Sequence, residues 1–113
     1  MGRLTTHVLD TARGRPAAGV GWTLFADGIA LASGVTNADG RCDAPLLEGD
    51  ALKAGRYVLR FAVAAYFRAA GVVLPEPPFL DEIDIAFGVS DAAAHYHVPL
   101  LVSPWAYSTY RGS

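Results

Sequence analysis

Cysteine is nearly absent from this chain: Cys42 is the only one in 113 residues. No internal disulfide is possible, and no Cys-x-x-Cys pair marks a zinc or dithiol motif. There is no basic stripe either. Nine Lys and Arg stand against eleven Asp and Glu, interspersed, for a net charge of −2; that balance argues against a nucleic-acid partner. No apolar run approaches the length that spans a bilayer. Met1 to His7 holds no apolar stretch of the secretory kind. With a lone thiol compatible with a reducing compartment, the expected setting is the cytoplasm, with no membrane association. Internal repeats and low-complexity tracts are missing as well.

What is present is apolar. Hydrophobic residues make up 52% and charged residues 18%, which excludes a disordered chain. The length predicts one domain over residues 1–113, large enough to hold a core without disulfide staples. Much of the apolar fraction is alanine, so that core is expected to be modest side chains around a few aromatics.

The dominant pattern is period two. Thr5 to Asp10 alternates, with Leu4, Thr6 and Val8 on one side and Thr5, His7 and Leu9 on the other. Thr11 to Gly19 is a loop with two glycines and a proline. Gly21 to Ala26 and Ile29 to Thr36 flank Asp27-Gly28, a strong hairpin signal. Asn37-Ala38-Asp39-Gly40 is a turn, and Gly49 to Gly55 a loop. Arg56 to Val63 sets Tyr57, Leu59, Phe61 and Val63 inward. Ala64 to Ala70 reads as a short helix closed by Gly71. Pro75 to Pro78 is an exposed connection. Strands follow over Leu80 to Phe87, Ala94 to Val102 and Trp105 to Tyr110. Short strands with turns at roughly ten-residue spacing predict an all-β sandwich with one short helix.

Few residues could carry chemistry. In His95-Tyr96-His97-Val98-Pro99-Leu100 the alternation buries Tyr96, Val98, Leu100 and Val102, so His95 and His97 point out of the sandwich. His7 points outward from the first strand. These rings could be scattered surface histidines, zinc ligands or a catalytic set. A metal set of His7, His95 and His97 lacks an obvious fourth ligand. Arg41, directly behind a tight turn, is suited to clamp a carbonyl-rich or anionic molecule. Cys42 beside it is either small apolar filler or a thiol activated by its cationic neighbour. The ending Tyr110-Arg111-Gly112-Ser113 gathers an aromatic ring, a fixed cation, a permissive glycine and a hydroxyl.

Four segments occur together and in order: Leu4-Thr5-Thr6-His7-Val8-Leu9-Asp10, Thr36-Asn37-Ala38-Asp39-Gly40-Arg41, His95-Tyr96-His97-Val98-Pro99-Leu100-Leu101 and Tyr107-Ser108-Thr109-Tyr110-Arg111-Gly112-Ser113. Together they closely resemble the 5-hydroxyisourate hydrolases, the transthyretin-related enzymes of purine catabolism. The ending is the most specific element, since it separates the hydrolases from transthyretin. Residues 48–90 match only in pattern.

The resemblance implies a transthyretin-like sandwich of two four-stranded sheets and a short helix. It implies a homotetramer, a dimer of dimers, with active sites at the subunit interface. The implied reaction is hydrolysis of 5-hydroxyisourate at a ring amide to 2-oxo-4-hydroxy-4-carboxy-5-ureidoimidazoline, with no cofactor and no metal. The implied catalytic residues are His7, His97, Arg41 and Ser113. His7, Arg41, Tyr110, Arg111 and Gly112 are implied to bind substrate. A small-molecule carrier on the same fold is the alternative.

Overall fold

A computed structural model describes residues 1–112. In chain order its elements are β1 (Arg3–Asp10), β2 (Arg15–Pro16), β3 (Gly21–Ala26), β4 (Ile29–Val35), β5 (Leu47–Glu48), a 3-10 turn (Gly49–Ala51), β6 (Gly55–Ala62), α1 (Val63–Ala69), β7 (Glu82–Val89), β8 (His95–Val102) and β9 (Tyr107–Ser108). One sheet runs β4-β3-β6-β7, all antiparallel. The other runs β2-β1-β8-β9, with β5 also on β1. Since β8 occupies one whole side of β1, β2 and β5 share the other, at Leu9–Asp10 and at Arg3–Leu4 respectively. This sheet is therefore four strands wide although it contains five. Two-residue strands are too short to display alternation, which is why β2 and β5 were not expected.

The core lies between the sheets, and period two decides who enters it. Leu4 and Val8 of β1, Leu24 of β3, Leu59 and Phe61 of β6, and Leu100 of β8 are fully buried. Burying such side chains stabilises the fold by roughly 1.5–3 kcal/mol each. Asp27 and Gly28 both have positive φ, as a two-residue hairpin turn requires. The short helix begins one residue earlier than expected, and Gly71 (φ 88°) follows its end. β7 begins at Glu82 rather than Leu80, because the Asp81 carbonyl is taken by the N–H groups of Val63 and Ala64. The last strand shrinks to Tyr107–Ser108.

The helix also ties the two sheets together. Tyr66 of α1 donates its hydroxyl to Asp10 of β1 (2.8 Å), and Arg13 donates Nε to the same carboxylate (2.9 Å). Asp10 is fully buried. Burial alone would raise its pKa, but the hydrogen bonds from Arg13 and Tyr66 outweigh it and hold the carboxyl below its ordinary value.

Past β9 the chain runs back along β8 in unchanged register. Leu101 pairs with Ser108, and His97 pairs with Gly112. The ladder is interrupted between them at Pro99, which has no N–H to give on that side. The Thr109 hydroxyl takes up the orphaned Pro99 carbonyl instead (2.6 Å).

Candidate active site

The outward face of the β1–β8 pair carries the candidate residues. The strands are parallel, with Arg3 opposite His95, Thr5 opposite His97 and His7 opposite Pro99. His7, His95 and His97 are half-buried, and the rings of His95 and His97 are 6.4 Å apart. Thr5, Arg41, His95 and His97 line a recess of about 440 Å³. On its other side His97 borders a second hollow with Tyr110, Arg111 and Gly112. A larger hollow of about 1090 Å³ lies on the outer face of the other sheet. Two of its four charged residues, Arg60 and Asp84, are paired with each other (2.8 Å), and it holds none of the candidate residues.

Arg41 reaches this face through a braced turn. The Asn37 side-chain oxygen accepts the N–H groups of Asp39 (2.9 Å) and Arg41 (3.1 Å), an Asx-type turn. The Gly40 carbonyl accepts Val8 N–H (2.7 Å), stitching the turn to β1. Only glycine fits there: φ is +74°, and a Cβ would lie 2.3 Å from the Val8 carbonyl oxygen. His7 and Arg41 are thereby bridged as β partners.

The proton on His7 is located by its neighbour. Its Nε2 is 2.8 Å from the Asp39 carbonyl oxygen. A carbonyl can only accept, so Nε2 carries the hydrogen and neutral His7 keeps its lone pair on Nδ1.

The tail is fixed to the same strand. Gly112 N–H donates to the His97 carbonyl (2.8 Å), and His97 N–H donates back (3.4 Å). The Arg111 guanidinium lies 4.3 Å from the centre of the Tyr96 ring and 3.4 Å from the His95 carbonyl. Within the chain, Arg111 thus pins the tail onto β8. Tyr110 is exposed on the hollow beside His97. Ser113 lies outside the described residues. Among the described residues, no group of three His, Cys, Asp or Glu side chains is arranged to hold a metal ion. Cys42 is not an activated thiol. Burial and then Asp43 push its pKa up, the reverse of the effect expected from Arg41.

Burial holds all three imidazoles below their ordinary pKa. Arg41 adds to the effect at His7 and, with His7 and His95, at His97; Arg3 adds to it at His95. The rings are neutral at pH 7 and available as bases. The same depression couples stability to pH. Between the folded values and the unfolded value of 6.5, the unfolded chain binds more protons. Stability is then fully present above 6.5 and is lost as pH falls through the folded values. Melting experiments from about pH 7.5 to about pH 5.5 should show a falling Tm, with a shallower fall in His97→Asn. A level Tm in the parent protein would contradict this coupling.

His7, Arg41, His97 and the tail stand out along the sequence as candidate site residues, whereas Thr5 does not. Its hydroxyl lies 2.9 Å from His95 Nε2 and 2.8 Å from His97 Nδ1. The local signal, a hydroxyl residue on the outward face two positions before His7, is weak until β1 is known to lie beside β8.

A face bearing neutral imidazoles, an arginine and a pinned tail can activate water and hold a carbonyl-rich molecule. Comparisons with known proteins identify the family of the chain. The model of the HIUase/Transthyretin family matches residues 4–112. A 5-hydroxyisourate hydrolase of Ralstonia nicotianae is 64% identical, with all of both chains covered. The solved 5-hydroxyisourate hydrolase of Klebsiella pneumoniae is 40% identical, covers both chains completely and has a TM-score of 0.86. The crystal structure of an (S)-allantoin synthase has a TM-score of 0.94 at 43% identity; it covers 99% of this chain, which spans only 44% of that longer one. This chain belongs to the HIUase/transthyretin family.

Proposed function

We propose that this protein hydrolyses 5-hydroxyisourate at a ring amide, giving 2-oxo-4-hydroxy-4-carboxy-5-ureidoimidazoline. The observation that carries this reading is the 64% identity, over the full length of both chains, to a 5-hydroxyisourate hydrolase. The neutral histidines beside Arg41 supply matching chemistry. His97 is the general base: Thr5 ties down its Nδ1, and its Nε2 bonds no protein group among the described residues. It takes a proton from water as the water oxygen attacks the ring carbonyl. Arg41 holds substrate oxygens and offsets the charge that develops on the attacked carbonyl. His7, with its lone pair on Nδ1, orients the water or the substrate. Tyr110 and the tail backbone frame the planar ring. Ser113 is assigned to the water or a histidine on the family resemblance alone. Residues 1–113 act as one domain.

A second subunit completes the site. His7 and His97 lie on the outer face of a sheet, and the tail borders His97 on one side only. A dry site needs a lid, and the homotetramer implied by the family resemblance provides one. A cytoplasmic setting is supported by the free thiol of Cys42.

The test is ultraviolet absorbance of freshly made 5-hydroxyisourate, generated from urate by urate oxidase, with and without this protein. Decay should be accelerated at least a hundredfold over the spontaneous rate, about the lower bound for general acid–base catalysis. Decay at the spontaneous rate would refute the hydrolase and turn attention to carriage of small molecules.

A further inference from the structure

A hydroxyl owns a single proton. Thr5, held between His95 Nε2 and His97 Nδ1, can donate to only one of the two rings and must accept from the other. Two arrangements satisfy all three groups. In the first, His97 Nδ1–H donates to Thr5, and Thr5 donates to His95 Nε2; His97 then keeps a lone pair on Nε2. In the second, His95 Nε2–H donates to Thr5, and Thr5 donates to His97 Nδ1; His97 then carries its proton on Nε2. Ring opening of an amide needs both in turn, a base toward the attacking water and an acid toward the departing nitrogen.

We propose that Thr5 joins His97 and His95 in a proton relay that converts His97 from base to acid within one turnover. This rests on the hydrolase reading of the same site. As the water oxygen bonds to the carbonyl carbon, one water proton passes to His97 Nε2. His97 gives its Nδ1 proton to Thr5 Oγ1, and Thr5 gives its own to His95 Nε2. The positive charge then rests on His95. When the C–N bond breaks, His97 Nε2–H goes to the nitrogen. His95 returns its proton through Thr5 to His97 Nδ1, restoring the starting state.

The placement suits this use. Thr5 is β-branched and stands on a strand, so its χ1 is restricted and the hydroxyl is aimed. Parallel pairing sets Thr5 opposite His97. The charged groups around the two rings are Arg3, Arg41, Asp43 and Arg111, and the neutral titratable ones are His7, Cys42 and Tyr110. Burial and Arg3 hold His95 below its ordinary value, so the proton it receives is returned rather than trapped.

Thr5→Val keeps the shape and removes the hydroxyl; Thr5→Ser restores it. The expected loss of kcat in Thr5→Val is about fiftyfold with KM little changed, while Thr5→Ser stays within about threefold of the parent. His95→Gln, which leaves β1 untouched, should lose about as much, and the double variant no more than either single one. In mixtures of light and heavy water, kcat should follow a curved proton inventory in the parent protein and a linear one in Thr5→Val. The acid limb of the kcat profile should move to lower pH in Thr5→Val, because imidazolium at position 97 loses the oxygen that accepts its Nδ1–H. Parent-like kcat and proton inventory in both Thr5→Val and His95→Gln, alongside an inactive His97→Asn, would overturn the relay and leave the hydrolase standing. No acceleration by the parent protein itself would overturn both.

Discussion

Replacing His97 with asparagine should lower kcat by about a thousandfold, within the range of a lost general base. Asparagine can still hydrogen-bond to Thr5, but it cannot hold a proton near neutral pH. The fold should be unaffected. His97 anchors the tail through its backbone N–H and carbonyl rather than its ring, and its neighbours Tyr96 and Val98 keep their places in the core. The check is the ring-opening assay beside circular dichroism and a melting curve. An active, folded His97→Asn would move the base to His7, whose Nδ1 lone pair is free of the Asp39 bond.

The second large effect comes from Gly112, whose place in the tail is a matter of space. A Cβ on Gly112 would lie 2.8 Å from Cδ2 and 3.0 Å from Cβ of the His97 side chain. Either the ring swings away or the tail lifts from β8. Both displace the base relative to the Arg41 recess, and misplacement by about 1 Å can cost around a hundredfold in rate. Gly112→Ala should therefore lose about a hundredfold in kcat/KM. Its melting temperature should change little, because the tail lies outside the core. Full activity in this variant would show that the close packing of tail on ring is immaterial.

Much of the architecture was legible along the chain. Alternation placed Tyr96, Val98, Leu100 and Val102 in the core and turned His95 and His97 outward, as observed. Asp27-Gly28 marked its hairpin, and Gly71 the end of the helix. These signals are local: side-chain direction follows from position within a strand, and positive φ from residue type. The candidate residues were legible too, but as a set of types drawn from separate segments, with nothing to say which atoms face each other.

What the sequence determined by itself was which residues face out, where the turns fall, and which side chains could do acid–base work. The tertiary structure decided their company. β1 and β8 lie about ninety residues apart, and only their parallel pairing sets the Thr5 hydroxyl between His95 and His97. Only the stitch from Gly40 to Val8 brings Arg41 beside His7, and only the register past Pro99 seats Gly112 on His97. The reason is physical. Alternation and turn chemistry act over a few residues, whereas register between distant strands is chosen by burying every inward face at once.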